Sequence, residues 1–113
     1  MLAESGYYGF AADIYGADLQ EGLSQDVRIA QTGIYRSNST LFVQRMEAAI
    51  AQVKTVDGVD PDNIAVIGYC FGGTGIVELA FSGDDDAKVV VAFHGGLQTL
   101  PNADTNVAPY TLM

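Results

Sequence analysis

A single cysteine lies in the stretch whose residue types and spacing could carry out a reaction. Cys70 has Gly68 two positions before it and Gly72 two positions after it, in the pattern Gly-x-Cys-x-Gly. This is the thiol form of the nucleophile elbow, a sharp turn between a strand and a helix that presents a nucleophile at the edge of an α/β sheet. A thiol in that position attacks acyl carbon atoms. The spacing therefore predicts that Cys70 is a catalytic nucleophile.

The elements on either side of Cys70 have the composition that an elbow needs. Residues 64–67 form an apolar run without alternation, which is typical of a strand buried on both faces of a parallel sheet. Residues 73–81 predict a short helix whose N-terminus points at Cys70 with unpaired N–H groups and partial positive charge. That charge favours the thiolate, the reactive form of cysteine. The N–H of Phe71 is expected to form one half of an oxyanion hole.

Glycines have a steric role in such a turn. A side chain two positions before or after the nucleophile is expected to collide with the neighbouring strand or helix. Gly68 and Gly72 meet that need, and Gly73 follows them as a third elbow glycine. The alternative interpretation is that Cys70 is an inert, buried, small hydrophobic residue in a glycine-rich turn. The apolar strand before it and the small-residue helix after it favour the elbow.

Four segments of the sequence form a recognisable set: GFAADIYG, VDGVDPDNI, IAVIGYCFGGTGIVELA and FHGGL. Through them, and over nearly its whole length, the sequence resembles the dienelactone hydrolase family of α/β-hydrolases. The blocks GYCFGG and FHGGL, in that order and at this separation, are specific to the family. The resemblance implies a hydrolase of carboxylic esters or lactones with a Cys-His-Asp triad, in which Cys70 is the nucleophile.

The partners of the nucleophile are expected outside this chain. In α/β-hydrolases the acid and then the histidine follow the nucleophile in chain order. His94 is the single histidine, and it comes one strand after Cys70, before a later strand could supply the acid. The resemblance likewise implies that the histidine of FHGGL is not the catalytic one. We therefore interpret His94 as a residue that packs beside the reacting centre, and we expect residues 1–113 to be a domain truncated at both ends.

The N-terminal segment is expected to contribute a strand and a loop. Residues 2–6 are typical of the last turn of a helix ended by glycine, and residues 7–12 predict a buried strand. The loop after that strand contains Tyr15, which could line a pocket because ligands bind at the carboxyl edge of parallel strands. Packing is the favoured role of Tyr15. Ala17 stands where the chlorocatechol branch of the family carries an arginine that holds the substrate carboxylate, which leaves the substrate open.

The remaining elements alternate in type. Ser24 is expected to cap a helix that runs to about Tyr35, and Asn38 or Ser39 to cap a second helix. The second helix has a single apolar face: Phe42, Met46, Ala49, Ile50 and Val53. Residues 89–93 predict another strand, and residues 110–113 the start of a further one. The alternation predicts the α/β class, as a three-layer sandwich with a mainly parallel sheet and a partial α/β-hydrolase fold.

Composition excludes several classes of function. Fourteen acidic and five basic residues give a formal net charge of −9, which repels nucleic acid and anionic lipid. One cysteine cannot form an intrachain disulfide, and no apolar run is long enough to cross a membrane, so we expect a cytoplasmic protein. The acidic run at residues 84–86 is expected to be solvated rather than to bind a metal. We expect no cofactor and, as partner, a small-molecule ester or lactone.

Three alternatives remain open from the residues. Class I glutamine amidotransferases have a similar thiol elbow, but theirs continues with Gly-His-Gln where this chain has Gly72, Gly73 and Thr74. A dinucleotide could bind at the glycines that open the helix, but Glu78 occupies the third glycine position of that fingerprint. The third alternative is an inactive fragment that serves only as a binding module.

Overall fold

The computed structural model describes residues 2–19 and 23–97. In this part of the chain there are three α-helices and two strands: α1 (Gln25–Arg36), α2 (Ser39–Lys54), β1 (Ala65–Tyr69), α3 (Phe71–Ser82) and β2 (Val89–Phe93). Two single-turn 3-10 helices, Ala3–Ser5 and Ala17–Leu19, precede them. The strand predicted from Tyr110 lies outside the described residues.

The two strands form a parallel sheet. β1 pairs with β2 in a register that runs from Ala65 opposite Val89 to Tyr69 opposite Phe93. Helix α3 connects them and packs against both strands, α2 packs on α3, and α1 packs on α2. This arrangement confirms the α/β class and the parallel pairing. It also brings the carboxyl ends of β1 and β2 to the same edge, where Cys70 and His94 follow.

The starts of the two predicted helices are confirmed. The Ser24 hydroxyl accepts a hydrogen bond from the Val27 N–H at 3.3 Å at the start of α1. The Asn38 side-chain oxygen accepts one from the Leu41 N–H at 3.0 Å at the start of α2. Each bond satisfies a backbone donor that has no acceptor within its own helix.

The hydrophobic core lies between α2, α3 and one face of the sheet. Helix α2 contributes Phe42, α3 contributes Leu79 and the sheet contributes Val90. Each of these side chains has no exposed surface. The apolar face predicted for α2 therefore does point inward, with its centre at Phe42, Met46 and Ile50 buried.

A carboxylate is buried beside this core. Glu78 on α3 is 1% exposed, and the hydroxyl of the equally buried Ser39 donates a hydrogen bond to its Oε2. Because Ser39 is the first residue of α2, the carboxylate lies near the positive end of that helix. Glu78 therefore joins the two core helices, and its carboxylate faces the protein interior rather than a ligand at the start of α3.

The sheet is covered on one face only within the described residues. The apolar run at residues 64–67 predicts burial on both faces, but Ile67 is 47% exposed and Phe93, on the same face, is 44% exposed. Their side chains point away from α3, whereas Val90 points toward it. The expectation of two-sided burial is wrong for these residues, because α3 is the described helix that packs on the sheet and it covers only one face.

The N-terminal strand is also a wrong expectation. Residues 7–12 have no strand geometry and are exposed, although Tyr8 lies against Gly58: a Cβ at position 58 would be 2.3 Å from the Tyr8 hydroxyl. Aromatic residues favour a strand only where a neighbouring strand is present to pair with and pack against. The glycine-ended turn before this segment is present, as Gly6 has φ of 85° and its N–H bonds to the Ala3 carbonyl.

Acidic side chains gather where α2 passes the connection between α3 and β2. Partial burial is the main cause of a raised pKa at Glu47, and the charges of Asp84 and Asp86 raise it further. Lys54 offsets part of this charge through an ion pair with Asp86 at 2.5 Å. At neutral pH the ionised Glu47 therefore opposes folding.

Replacing Glu47 with glutamine is expected to stabilise the chain at pH 7 by about 0.2–0.5 kcal/mol, the size typical of charge pairs near a surface. The folded-state pKa of Glu47 is raised above its ordinary value of 4.5. Stability is therefore lost as the pH rises past that value, and the gain in E47Q should disappear in more acidic solution. Urea denaturation of both chains across this pH range measures the difference. D85N is the control, because Asp85 is not among the causes of the raised Glu47 pKa. A similar gain in stability in D85N would contradict the assignment of the unfavourable charge to Glu47.

Candidate active site

Cys70 occupies a strained junction between β1 and α3. Its backbone has φ of 53° and ψ of −111°, and it is the N-cap residue of α3. Its N–H donates to the Phe93 carbonyl at 3.0 Å, which extends the pairing of the two strands by one residue. Non-glycine residues with positive φ are uncommon and concentrate at functional sites. Cys70 is also exposed, which contradicts the interpretation of an inert buried cysteine.

Two of the three elbow glycines are required by crowding. A Cβ at position 68 would lie 2.5 Å from the carbonyl carbon of Gly72 and 2.6 Å from the Ile76 side chain. A Cβ at position 73 would lie 2.9 Å from the Phe93 carbonyl oxygen. The collision expected at Gly72 does not occur, because a Cβ there would meet no atom within 4 Å. The backbone of Gly72 instead lies where a side chain at position 68 would be.

Phe71 is anchored in the core beside the nucleophile. Its ring stacks on Phe42 with centroids 4.6 Å apart and an interplanar angle of 17°. Tyr35 meets the same ring edge-on at 6.2 Å. Since Phe71 is the first residue of α3, its N–H has no acceptor within the helix. The ring contacts therefore hold in place the residue whose N–H we expect in the oxyanion hole.

Tyr15 lies behind the elbow in the same aromatic group. Its ring is 5.9 Å from that of Phe71, and its hydroxyl shares a hydrogen bond with the Thr32 hydroxyl at 3.1 Å. The loop that carries it is tied to α1, since the Tyr35 hydroxyl donates to the Ile14 carbonyl at 2.7 Å. Both contacts agree with the packing role favoured for Tyr15.

His94 follows β2 as Cys70 follows β1. The register places Tyr69 opposite Phe93, so the next residues on the two strands come to the same edge of the sheet. His94 has φ of 41° and is exposed. Cys70 and His94 are the non-glycine residues with positive φ in the described part of the chain. The structure thus places the candidate nucleophile and the histidine on adjacent strand ends.

Two residues near the elbow were not identified from the sequence. Gly95 lies in backbone contact with Gly73, since a Cβ at position 95 would be 2.4 Å from the Gly73 carbonyl carbon. Thr74 is 4% exposed, and its hydroxyl donates to the Cys70 carbonyl and accepts from the Gly96 N–H in the loop after β2. Their sequence signals are weak, because glycine and threonine are common in loops and helices without such contacts.

Other parts of the described chain offer no comparable arrangement. A groove on the outer side of α1 is lined only by residues of that helix, including Arg28, Thr32 and Arg36, and it does not include Cys70. Within residues 2–19 and 23–97, no group of histidine, cysteine and acidic side chains could hold a metal ion. None of the helices in these ranges is long and apolar enough to cross a membrane.

Comparisons with known proteins show the family of the chain. The sequence model of the dienelactone hydrolase family matches residues 1–112. A protein of Synechocystis named "Putative carboxymethylenebutenolidase" is 30% identical over 98 residues, which cover 83% of this chain and 39% of the relative. A Caenorhabditis elegans protein described as uncharacterized is 36% identical over 53 residues, 47% of this chain and 34% of its own length. The chain thus spans well under half the length of either relative. No solved structure gave a significant match.

Proposed function

Because the chain belongs to the dienelactone hydrolase family, we propose that it is part of a hydrolase that cleaves a carboxylic ester or lactone with Cys70 as the nucleophile. The observation that carries the proposal is the exposed Cys70 side chain on a positive-φ turn at the start of α3. A structural cysteine gains nothing from this strained backbone. A nucleophile gains access to a carbonyl carbon at the edge of the sheet.

The first half of the reaction would take place at the start of α3. The Cys70 thiolate attacks the carbonyl carbon, a C–S bond forms, and the electron pair of the carbonyl moves to oxygen. The N–H of Phe71 donates to that oxyanion. Collapse expels the alcohol, which takes up a proton, and leaves a thioester. Water then attacks the thioester to release the acid and the thiol.

The proton transfers need a base and a group that orients it. We place both, an aspartate and a histidine, in parts of the protein beyond these 113 residues. The family order of nucleophile, acid and histidine supports this, since His94 comes too early in the chain. His94 would then be a neighbour of the reacting carbonyl rather than the base. An isolated chain would acylate but turn over poorly, since it lacks the groups that activate water.

The substrate would be a neutral or weakly charged ester or lactone. Ala17 stands where the chlorocatechol branch has an arginine for the substrate carboxylate, and the net charge of −9 supplies no attraction for an anion. The name of the Synechocystis relative supports the lactone and ester class. The family match favours this chemistry over the amidotransferase and dinucleotide alternatives.

Acylation of the chain by p-nitrophenyl acetate tests the proposal. Because the protein has one cysteine, mass spectrometry can assign an acetyl group to Cys70 without interference from other thiols. We expect the folded chain to acylate about tenfold or more faster than the same chain in denaturant, because the folded elbow exposes Cys70 beside the Phe71 N–H that would stabilise the oxyanion. The C70A chain should release nitrophenolate only at the rate of its other side chains.

Two results would contradict the proposal. One is acylation of folded Cys70 no faster than in the unfolded chain. The other is rapid multiple turnover by the 113-residue chain that survives in C70A, since hydrolysis would then use other residues.

A further inference from the structure

We propose that Thr74 is a positioning residue, whose hydroxyl joins the elbow to the loop after β2 and so holds the backbone of Cys70 in its strained conformation. The loop consists of His94, Gly95 and Gly96. The link between elbow and loop stands on geometry alone, whereas its value for catalysis rests on the proposed function of Cys70.

The Thr74 hydroxyl makes two hydrogen bonds to backbone groups. It donates to the Cys70 carbonyl at 3.3 Å and accepts from the Gly96 N–H at 2.9 Å. The Cys70 carbonyl also accepts from the Thr74 N–H at 3.0 Å, as the first turn of α3 requires. Threonine commonly bonds to the carbonyl four residues back in a helix. Here the same oxygen also receives an N–H from a segment 22 residues away.

Backbone packing shows that the loop lies directly on the elbow. A Cβ at Gly95 would be 2.4 Å from the Gly73 carbonyl carbon and 2.7 Å from the Thr74 nitrogen. A Cβ at Gly96 would be 3.3 Å from the Thr74 hydroxyl. Glycines on both segments thus allow two backbones to touch. The hydroxyl satisfies the Gly96 donor at that contact.

The consequence for Cys70 follows from its backbone angles. A residue with φ of 53° keeps that conformation only when several contacts hold it there. Three are visible: the Cys70 N–H bonds to the Phe93 carbonyl, and the Cys70 carbonyl bonds to both the N–H and the hydroxyl of Thr74. The hydroxyl is the contact that also restrains the loop. Removing it should loosen the loop and the nucleophile together.

Substitution of Thr74 by valine tests the link, because valine keeps the shape and removes the hydroxyl. The T74V chain should show about tenfold or more faster hydrogen exchange at the Gly96 amide. Acylation of Cys70 by p-nitrophenyl acetate should slow about threefold or more, because the sulfur is then less well placed relative to the Phe71 N–H that would stabilise the oxyanion. The T74S chain keeps the hydroxyl and should restore both values. In the wild type, the Gly96 amide should exchange more slowly than in an unfolded chain.

Ser82 provides a matched control on the same helix. Its hydroxyl also donates to a carbonyl, that of Leu79 at 2.8 Å, and accepts from a following N–H, that of Asp84 at 3.3 Å. The S82A chain should therefore leave the Gly96 amide and Cys70 unchanged. Wild-type exchange at Gly96 in T74V would overturn the proposal, and so would an unprotected Gly96 amide in the wild type, even if T74V fails to fold. Failure of the proposed function would instead show as an unreactive Cys70 while Gly96 remains protected by the hydroxyl.

Discussion

Replacement of Phe42 with alanine is expected to destabilise the chain by about 3–5 kcal/mol, the range for removing a buried phenylalanine. Phe42 has no exposed surface and its ring stacks on Phe71 at 4.6 Å. It also fills the space beside Gly75, where a Cβ would lie 2.6 Å from the ring. Small domains are stable by only about 5–15 kcal/mol in total. The F42A chain should therefore lose a large share of its stability, as urea denaturation would measure.

Phe10 provides the control for this substitution. Its side chain is 47% exposed, so F10A removes the same atoms from a site that buries much less surface. A loss below about 1 kcal/mol is expected there. Equal losses in the two variants would mean that Phe42 does not lie at the centre of the core. The F42A chain should also lose the enhanced reactivity that we propose for Cys70, because Phe71 then lacks its stacking partner.

Replacement of Gly68 with alanine is expected to cost about 3 kcal/mol, at the upper end for overpacking, because the new methyl group meets backbone atoms. The Cβ would lie 2.5 Å from both the carbonyl carbon and the oxygen of Gly72, and 2.6 Å from Ile76. A side chain could rotate away, but the first turn of α3 can yield only by moving the elbow. Thermal or urea denaturation measures the cost. Acylation of Cys70 by p-nitrophenyl acetate should slow in any G68A protein that remains folded, because the elbow has moved.

The matched control is the glycine on the other side of the nucleophile. A Cβ at Gly72 meets no atom within 4 Å, and the residue lies in the first turn of α3. G72A is therefore expected to be neutral or to stabilise the helix by up to about 1 kcal/mol, the difference in helix propensity between the two residues. A large loss in G72A, or none in G68A, would contradict the geometry of the turn.

Local patterns were sufficient to predict the elements around the core. The apolar spacing of Phe42, Met46 and Ile50 identified the inner face of α2, and Ser24 and Asn38 marked the starts of two helices. Each of these signals depends on residues about one helical turn apart, so it can be recognised in the sequence alone. The parallel pairing of β1 and β2 followed from the intervening helix, because a hairpin cannot join parallel strands.

Long-range contacts were harder to predict. Residues 7–12 have the composition of a strand, but the described chain gives them no pairing partner. Ile67 and Phe93 belong to apolar runs that are typical of two-sided burial, yet α3 covers the other face of the sheet. In both cases the composition of a segment indicates which structures it can adopt. The elements that pack against it determine which structure it does adopt.

For the candidate site, too, the sequence predicted some features and the tertiary structure was needed for others. The pattern Gly-x-Cys-x-Gly after an apolar run was enough to place a thiol at a strand-to-helix turn, because only a few local arrangements suit those residues. The coordinates were needed to show that Gly68 rather than Gly72 is crowded, and that the hydroxyl of Thr74 reaches Gly96. The first fact depends on how tightly the turn closes on itself, and the second on the distance between segments 22 residues apart. A pattern of residue types encodes neither distance.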